Sequence, residues 1–165
     1  MALKHRVADA SYWVYDHMRH KAAFDSAAQP GTAQDFAGLH DQKYALLVTF
    51  RKDGTAVPTP VWFALLDDHH FVTHTEARTA KVRRIRHDSR ARVFPSDPRG
   101  KPLGPGADAT ARILSTQDES ERAEAALDRR YGRTRRIYDK LMVEERGMVY
   151  VELTPAAPTP QAGSA

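Results

Sequence analysis

Between residues 44 and 75 the chain alternates β-forming runs with turns of two to four residues, and this spacing constrains the fold more than any other feature. The run YALLVTF (44–50) is apolar and ends in β-formers. RKDG follows, and its Asp53-Gly54 pair is a strong hairpin signal, because a tight turn needs backbone angles that these two residues tolerate. AVPTPVWFALL (56–66) reads as the next strand. In an extended chain Val57, Thr59, Val61 and Phe63 share one face, and Pro58, Pro60 and Trp62 share the other. Neither proline has an N–H for a ladder, so this strand lies at an edge or carries a bulge. A second turn at 67–68 leads to HHFVTHT (69–75).

Three more strands are expected, at 90–95, 107–114 and 147–153, which makes six. Apolar residues at helical spacing predict helices over 4–24, 80–87, 118–132 and 134–143. Thr79 is placed to cap the second helix. Ser115 or Thr116 starts the third, and Gly132 stops it. Short strands at this spacing argue for a small barrel and against a doubly wound parallel sheet. No glycine-rich dinucleotide fingerprint or phosphate-loop motif is present. The chain divides into an N-terminal helical extension and linker (1–35), a barrel domain (36–154) and a tail (155–165) expected to be disordered. With 165 residues, one core is expected.

Charge is concentrated in one place. The net charge is +4, yet residues 76–101 alone hold nine Lys or Arg against three Asp or Glu. The rest of the chain is therefore net acidic, and a local basic patch suits a specific anion better than a uniformly sticky surface. There is no cysteine, which excludes disulfides, thiolate metal sites and cysteine nucleophiles. A reducing cytoplasm is the expected compartment. The opening MALKHRVADASYWVYDHMRH has no long apolar run, so neither a signal peptide nor a membrane span is expected.

The basic segment RTAKVRRIRHDSRARV (78–93) contains the helix at 80–87. At about 3.6 residues per turn, Val82 and Ile85 face the core, Lys81 and Arg86 flank them, and Arg83, Arg84 and His87 point outward. The helix start adds partial positive charge and free N–H groups. A phosphate near Thr75, Thr79 and Lys81 would meet several donors at once. A solvated basic face and a nucleic-acid face are the competing readings. The second is disfavoured because aromatic residues do not interleave with the basic ones as stacking platforms would require.

LLVTFRKDGTAVPTPVWFAL, followed by FVTHTEARTAKVRRIRHDSRARVFPSDPRGKPLGP, resembles the flavin/deazaflavin oxidoreductase superfamily, the pyridoxamine-phosphate-oxidase-like split β-barrel group. Within it the likeness is to the branch labelled PPOX class F420-dependent, over roughly residues 39–153. The resemblance implies a mainly-β fold with helices, a six-stranded split β-barrel. It implies a homodimer with cofactor sites at the interface. It also implies a tricyclic ring along the second strand, near Thr59, Pro60, Val61 and Trp62. The phosphate would meet Thr75, Thr79, Lys81 and Val82, with Arg84 and Arg86 towards the cofactor's tail. Pro95, Ser96 and the loop around Gly104 would close another side. For two of these residues the alternatives stay open. Trp62 either lies over the ring or fills a core, and Thr59 either reaches the ring or faces the barrel interior.

F420 carries a phosphodiester and an oligoglutamate tail, so its charge extends further from the ring than that of FMN. Arg83, Arg84, Arg86, Arg90 and Arg92 suit the longer anion, which makes F420 the expected cofactor and FMN the alternative. The expected reaction is hydride transfer between the deazaflavin and a small electron-poor organic acceptor, such as a quinone or conjugated carbonyl. No catalytic side chain is assigned; His74 is a candidate proton donor. A non-catalytic carrier of F420, flavin or a tetrapyrrole is the competing class, and His69, His70 and His74 keep haem open. No metal, nucleic-acid or membrane partner is expected.

Overall fold

The computed structural model describes residues 20–132 and 147–156. Their centre is one antiparallel sheet. β1 (Tyr44–Phe50) pairs with β2 (Ala56–Val61) across the expected turn, where Gly54 adopts φ 82° and Asp53 accepts the Thr55 N–H. β3 (Ala64–Asp67) and β4 (His70–Glu76) form a second hairpin. β5 (Arg90–Ser96), β6 (Ala107–Ile113) and β7 (Met148–Pro155) complete a seven-stranded order β2-β1-β5-β6-β7-β4-β3.

This order places β2 and β3, consecutive in sequence, at opposite ends of the sheet. Only Trp62 and Phe63 join them, so the sheet curls until its ends meet. The result is a half-barrel of the split-barrel type, closed by covalent chain where the ladder stops. Thr73 Oγ1 donates to the Trp62 carbonyl at 2.6 Å and ties the corner to β4. The single strand expected at 56–66 is therefore two, and six expected strands become seven. The physical reason is the need to cross from one sheet end to the other. β2 is an end strand, as its prolines require.

Packing occurs on both sides of the sheet. Register sets Val57, Thr59 and Val61 beside Thr49, Leu47 and Ala45 on the inner face, and Pro58 and Pro60 beside Val48 and Leu46 on the outer face. Inside, Leu47, Phe63, Phe71, Val93, Val151 and Leu153 are buried together. Phe63 stacks on Phe71 at 5.0 Å between centroids, and Phe36 meets Phe71 edge-on. Outside, α1 (Lys21–Ala27) lays Ala23 and Ala27 on Leu46, Val48, Phe50 and Phe94. α1 overlaps the helix expected at 4–24 over residues 21–24 and continues to Ala27, into the stretch expected as linker. The part of that helix before residue 20, the helix expected at 134–143 and the tail beyond residue 156 lie outside the described residues.

Two further helices flank the sheet. α2 (Ala80–His87) buries Val82 and Ile85 as its periodicity requires. Thr79 stands at its N-cap, but its hydroxyl donates back to the Glu76 carbonyl and caps no helical N–H. α3 (Gln117–Tyr131) packs Ala123, Ala126 and Leu127 against Ala64, Val72 and Leu114. It starts at Thr116, whose hydroxyl and the Glu119 carboxylate form a reciprocal capping box, and it ends at Gly132 with φ 58°.

Two predictions follow from this packing. Gly31 runs against β6, and a Cβ there would lie 2.3 Å from the Asp108 nitrogen, a backbone atom that cannot swing aside. Gly31→Ala is expected to cost about 1–3 kcal/mol, the usual range for overpacking, measured by urea unfolding. Glu119 is held by Arg112 first and by Thr116 next, which lowers its carboxyl from 4.5 to about 2. A lowered carboxyl adds stability that is present above pH 4.5 and is lost as pH falls towards 2. Glu119→Gln is expected to make the stability profile shallower across that window, read from unfolding midpoints at stepped pH.

Candidate functional site

The end of β4 and the start of α2 bring hydroxyls and cations together. Thr75 is buried, and its Oγ1 lies 3.4 Å from Thr79 Oγ1. Lys81, in the first turn of α2, and Arg84, about one turn further on, are half-buried. Arg84 does not point outward as the helical wheel predicts. Its long side chain folds over the sheet, and its Nε donates to Thr49 Oγ1 at 2.7 Å. Arg83 and Arg86 are exposed. Val82 is fully buried and serves the core, so the contact expected between it and a phosphate is not offered at the surface. The Lys81 ammonium and the helix start are donors that fit a phosphate, and the Thr79 hydroxyl would join them only by leaving the Glu76 carbonyl.

A second assembly forms at the barrel corner. Trp62 is half-buried and stacks on Tyr131, with centroids 5.4 Å apart and planes 23° from parallel. The two rings border a cavity of about 430 Å³, with Tyr44, Arg130 and residues 40–43 around it. The Tyr131 hydroxyl donates to the Lys43 carbonyl at 2.7 Å and accepts the Phe63 N–H at 3.1 Å. Burial pushes this phenol above its ordinary pKa. Arg130 lies 4.6 Å over the Phe63 ring and donates to the His40 carbonyl at 2.9 Å and to the Gln42 carbonyl. The end of α3 therefore pins both the corner and the loop before β1.

The other expected residues fall elsewhere. Thr59 and Val61 line the inner face with Leu47 and Ala45, while Pro60 turns to the outer layer. Pro95 and Gly104 border a second cavity of about 320 Å³ beside Phe36, Leu39 and Leu103. Ser96 is buried, and its hydroxyl donates to the Asp97 carbonyl. Gln42 borders both cavities. The expected residues thus fall at the β4–α2 turn, along β2 to the Trp62 corner, and at the Pro95 cavity, the last two adjoining through Ala45 and Gln42.

The arginine surplus is largely engaged by the fold. Arg90 pairs with Asp88 at 2.7 Å. Arg92 bonds Asp108 across the strands and donates to the Ala27 and Gln29 carbonyls, fastening the end of α1 to the sheet. His69 is exposed in the β3–β4 turn, and His70 pairs with Asp67 at 2.8 Å. Tyr131, Arg130, Tyr44 and Gln42 were not legible as site residues. The one local signal was the aromatic residue immediately before the helix-stopping Gly132.

Residues 32–157 match the family described as pyridoxamine 5′-phosphate oxidase. No curated protein sequence matches the chain. Among solved structures, the heme storage protein HutZ of Vibrio cholerae aligns over 71% of this chain and 84% of its own, at 14% identity and a TM-score of 0.56. A conserved protein of Mycobacterium tuberculosis aligns over 71% of this chain and 75% of its own, at 20% identity and a TM-score of 0.51. An FAD-binding protein of Mesorhizobium loti aligns over 70% of this chain and 81% of its own, at 16% identity and a TM-score of 0.50. At these identities the likeness is one of fold, the curled split barrel.

The corner yields its own prediction. Tyr131→Phe keeps the ring stack but leaves the Phe63 N–H and the Lys43 carbonyl without the hydroxyl between them. A loss of about 1–3 kcal/mol is expected, with faster amide exchange at Phe63 than at core strand amides such as Leu47.

Proposed function

The chain belongs to the pyridoxamine 5′-phosphate oxidase family, and on that premise we propose that it is an oxidoreductase working with a flavin-type cofactor, F420 in preference to FMN. It transfers a hydride between that cofactor and a small electron-poor organic acceptor. The observation that carries this reading is the start of α2, with Lys81 in its first turn next to the paired hydroxyls of Thr75 and Thr79. The description of one fold neighbour as FAD-binding supports a flavin-type ligand.

When bound, the cofactor supplies the carbon that gives or takes the hydride. The chain's own residues hold and shield. The Lys81 ammonium and the start of α2 would hold the phosphate, with the Thr75 and Thr79 hydroxyls joining once Thr79 turns from the Glu76 carbonyl. Arg84, anchored on Thr49 Oγ1, stiffens the inner side of that turn. Exposed Arg83 and Arg86 continue the positive charge beyond it, which suits a polyanionic tail and supports F420 over FMN. The backbone from Thr59 to Trp62, on an end strand, would border the ring. A quinone acceptor would take one hydride from the reduced cofactor and one proton from water and leave as the hydroquinone, so no dedicated side-chain acid is needed.

A homodimer with cofactor sites at its interface belongs to the same proposal. No helix among the described residues is long and apolar enough to cross a membrane. Work in the cytoplasm belongs to the same proposal.

Titration with F420 and, separately, FMN tests the reading. F420 is expected to bind more tightly than FMN. Lys81→Ala is expected to weaken F420 by about tenfold or more, as removal of a charge-assisted contact does. Preference for FMN would reverse the choice of cofactor. Binding of neither would overturn the oxidoreductase reading.

A further inference from the structure

We propose that the cavity beside Trp62 and Tyr131 is the acceptor pocket and that it selects a planar conjugated ring bearing an acidic substituent. This rests on the oxidoreductase reading above and adds to it the class of substrate. Three features of the cavity carry the inference.

The first is its aromatic wall. Trp62 and Tyr131 lie near-parallel, 5.4 Å apart, with Tyr44 on the same cavity. Both rings are electron-rich, and an electron-poor ring such as a quinone extends such a stack favourably. The volume of about 430 Å³ falls inside the common range for small-molecule sites.

The second is its charge. Lys43 and Arg130 stand on the lining against Asp41, and His40 is paired with Asp68 at 2.5 Å. The balance favours an anionic group on the ligand. The neighbouring cavity differs on both counts: its lining is largely apolar, and Asp35 is its one charged side chain. It repels an anion and has no stacked pair of rings to receive a plane.

The third is rigidity and place. Arg130 holds the carbonyls of His40 and Gln42, and the Tyr131 hydroxyl joins Lys43 to Phe63. The wall is thus set before any ligand arrives, which lowers the ordering cost of binding. Trp62 follows directly on Val61, the last residue of the strand along which the cofactor ring is proposed to lie.

The probe is 1,4-naphthoquinone-2-sulfonate, compared with uncharged 1,4-naphthoquinone, on cofactor-free full-length chain. The sequence has two tryptophans, Trp13 and Trp62, so Trp13→Phe leaves Trp62 as the reporter. Saturable quenching is expected, with the sulfonate bound about threefold or more tighter than the parent quinone. Lys43→Ala, a change at an exposed residue, is expected to remove that preference while keeping the quenching. Equilibrium dialysis on the unsubstituted chain and on Lys43→Ala gives the same affinities without relying on the Trp13 variant. Saturating F420 or FMN is expected to leave the probe bound.

Absence of saturable binding overturns the inference, as does equal affinity for the two quinones. Displacement of the probe by the cofactor also overturns it: the pocket then belongs to the cofactor, and the oxidoreductase reading stands. Probe binding in a chain that binds neither cofactor overturns the oxidoreductase reading and leaves a site for anionic planar rings.

Discussion

Because β2 and β3 sit at opposite ends of one sheet yet follow each other in sequence, Trp62 and Phe63 span the gap where ladder hydrogen bonds run out. Everything near the candidate site depends on how that gap is held. Phe63 turns inward onto Phe71 and Trp62 turns towards Tyr131, so the two residues grip opposite sides of the wall. Thr73 fixes the Trp62 carbonyl, and the Tyr131 hydroxyl fixes the Phe63 N–H. A corner that would otherwise leave buried polar groups unsatisfied is thereby completed by one strand and one distant helix.

The sequence was most legible where local chemistry decides the outcome. β1 falls on the expected run, and the Asp53-Gly54 turn and the end position of the proline-bearing strand follow from backbone rules that no tertiary contact overrides. The capping box at Thr116 and the stop at Gly132 belong to the same class. What was not legible depends on partners far apart in the chain. Nothing in AVPTPVWFALL marks where the chain must change sheet ends. Nothing in RRYG shows that its tyrosine will meet Trp62. Of the candidate site, the meeting of hydroxyls and cations at the β4–α2 turn follows from a local cluster, while the Trp62–Tyr131 stack is a long-range meeting.

The arginines show how far net charge can mislead. The basic segment reads as a reservoir for an anion, yet Arg84, Arg90 and Arg92 each have work within the fold. Arg92 is the clearest case, because its guanidinium joins a neighbouring strand to the last carbonyl of α1 and to that of Gln29 just beyond it. Formal charge counts side chains. Only geometry shows which of them still face outward, and here Arg83 and Arg86 do.

Six of the seven β1 residues are buried, because the strand packs against the barrel on one face and against α1 on the other. Such a strand has almost no silent positions. A change at Leu47 is felt inside the barrel, and a change at Val48 is felt beneath the helix. Substitutions that persist in β1 must therefore be matched in one layer or the other, and α1 is bound to the barrel's history of change. A homologue that dispensed with α1 would have to rewrite Leu46, Val48, Phe50 and Phe94 together, since each would otherwise become part of a greasy exterior.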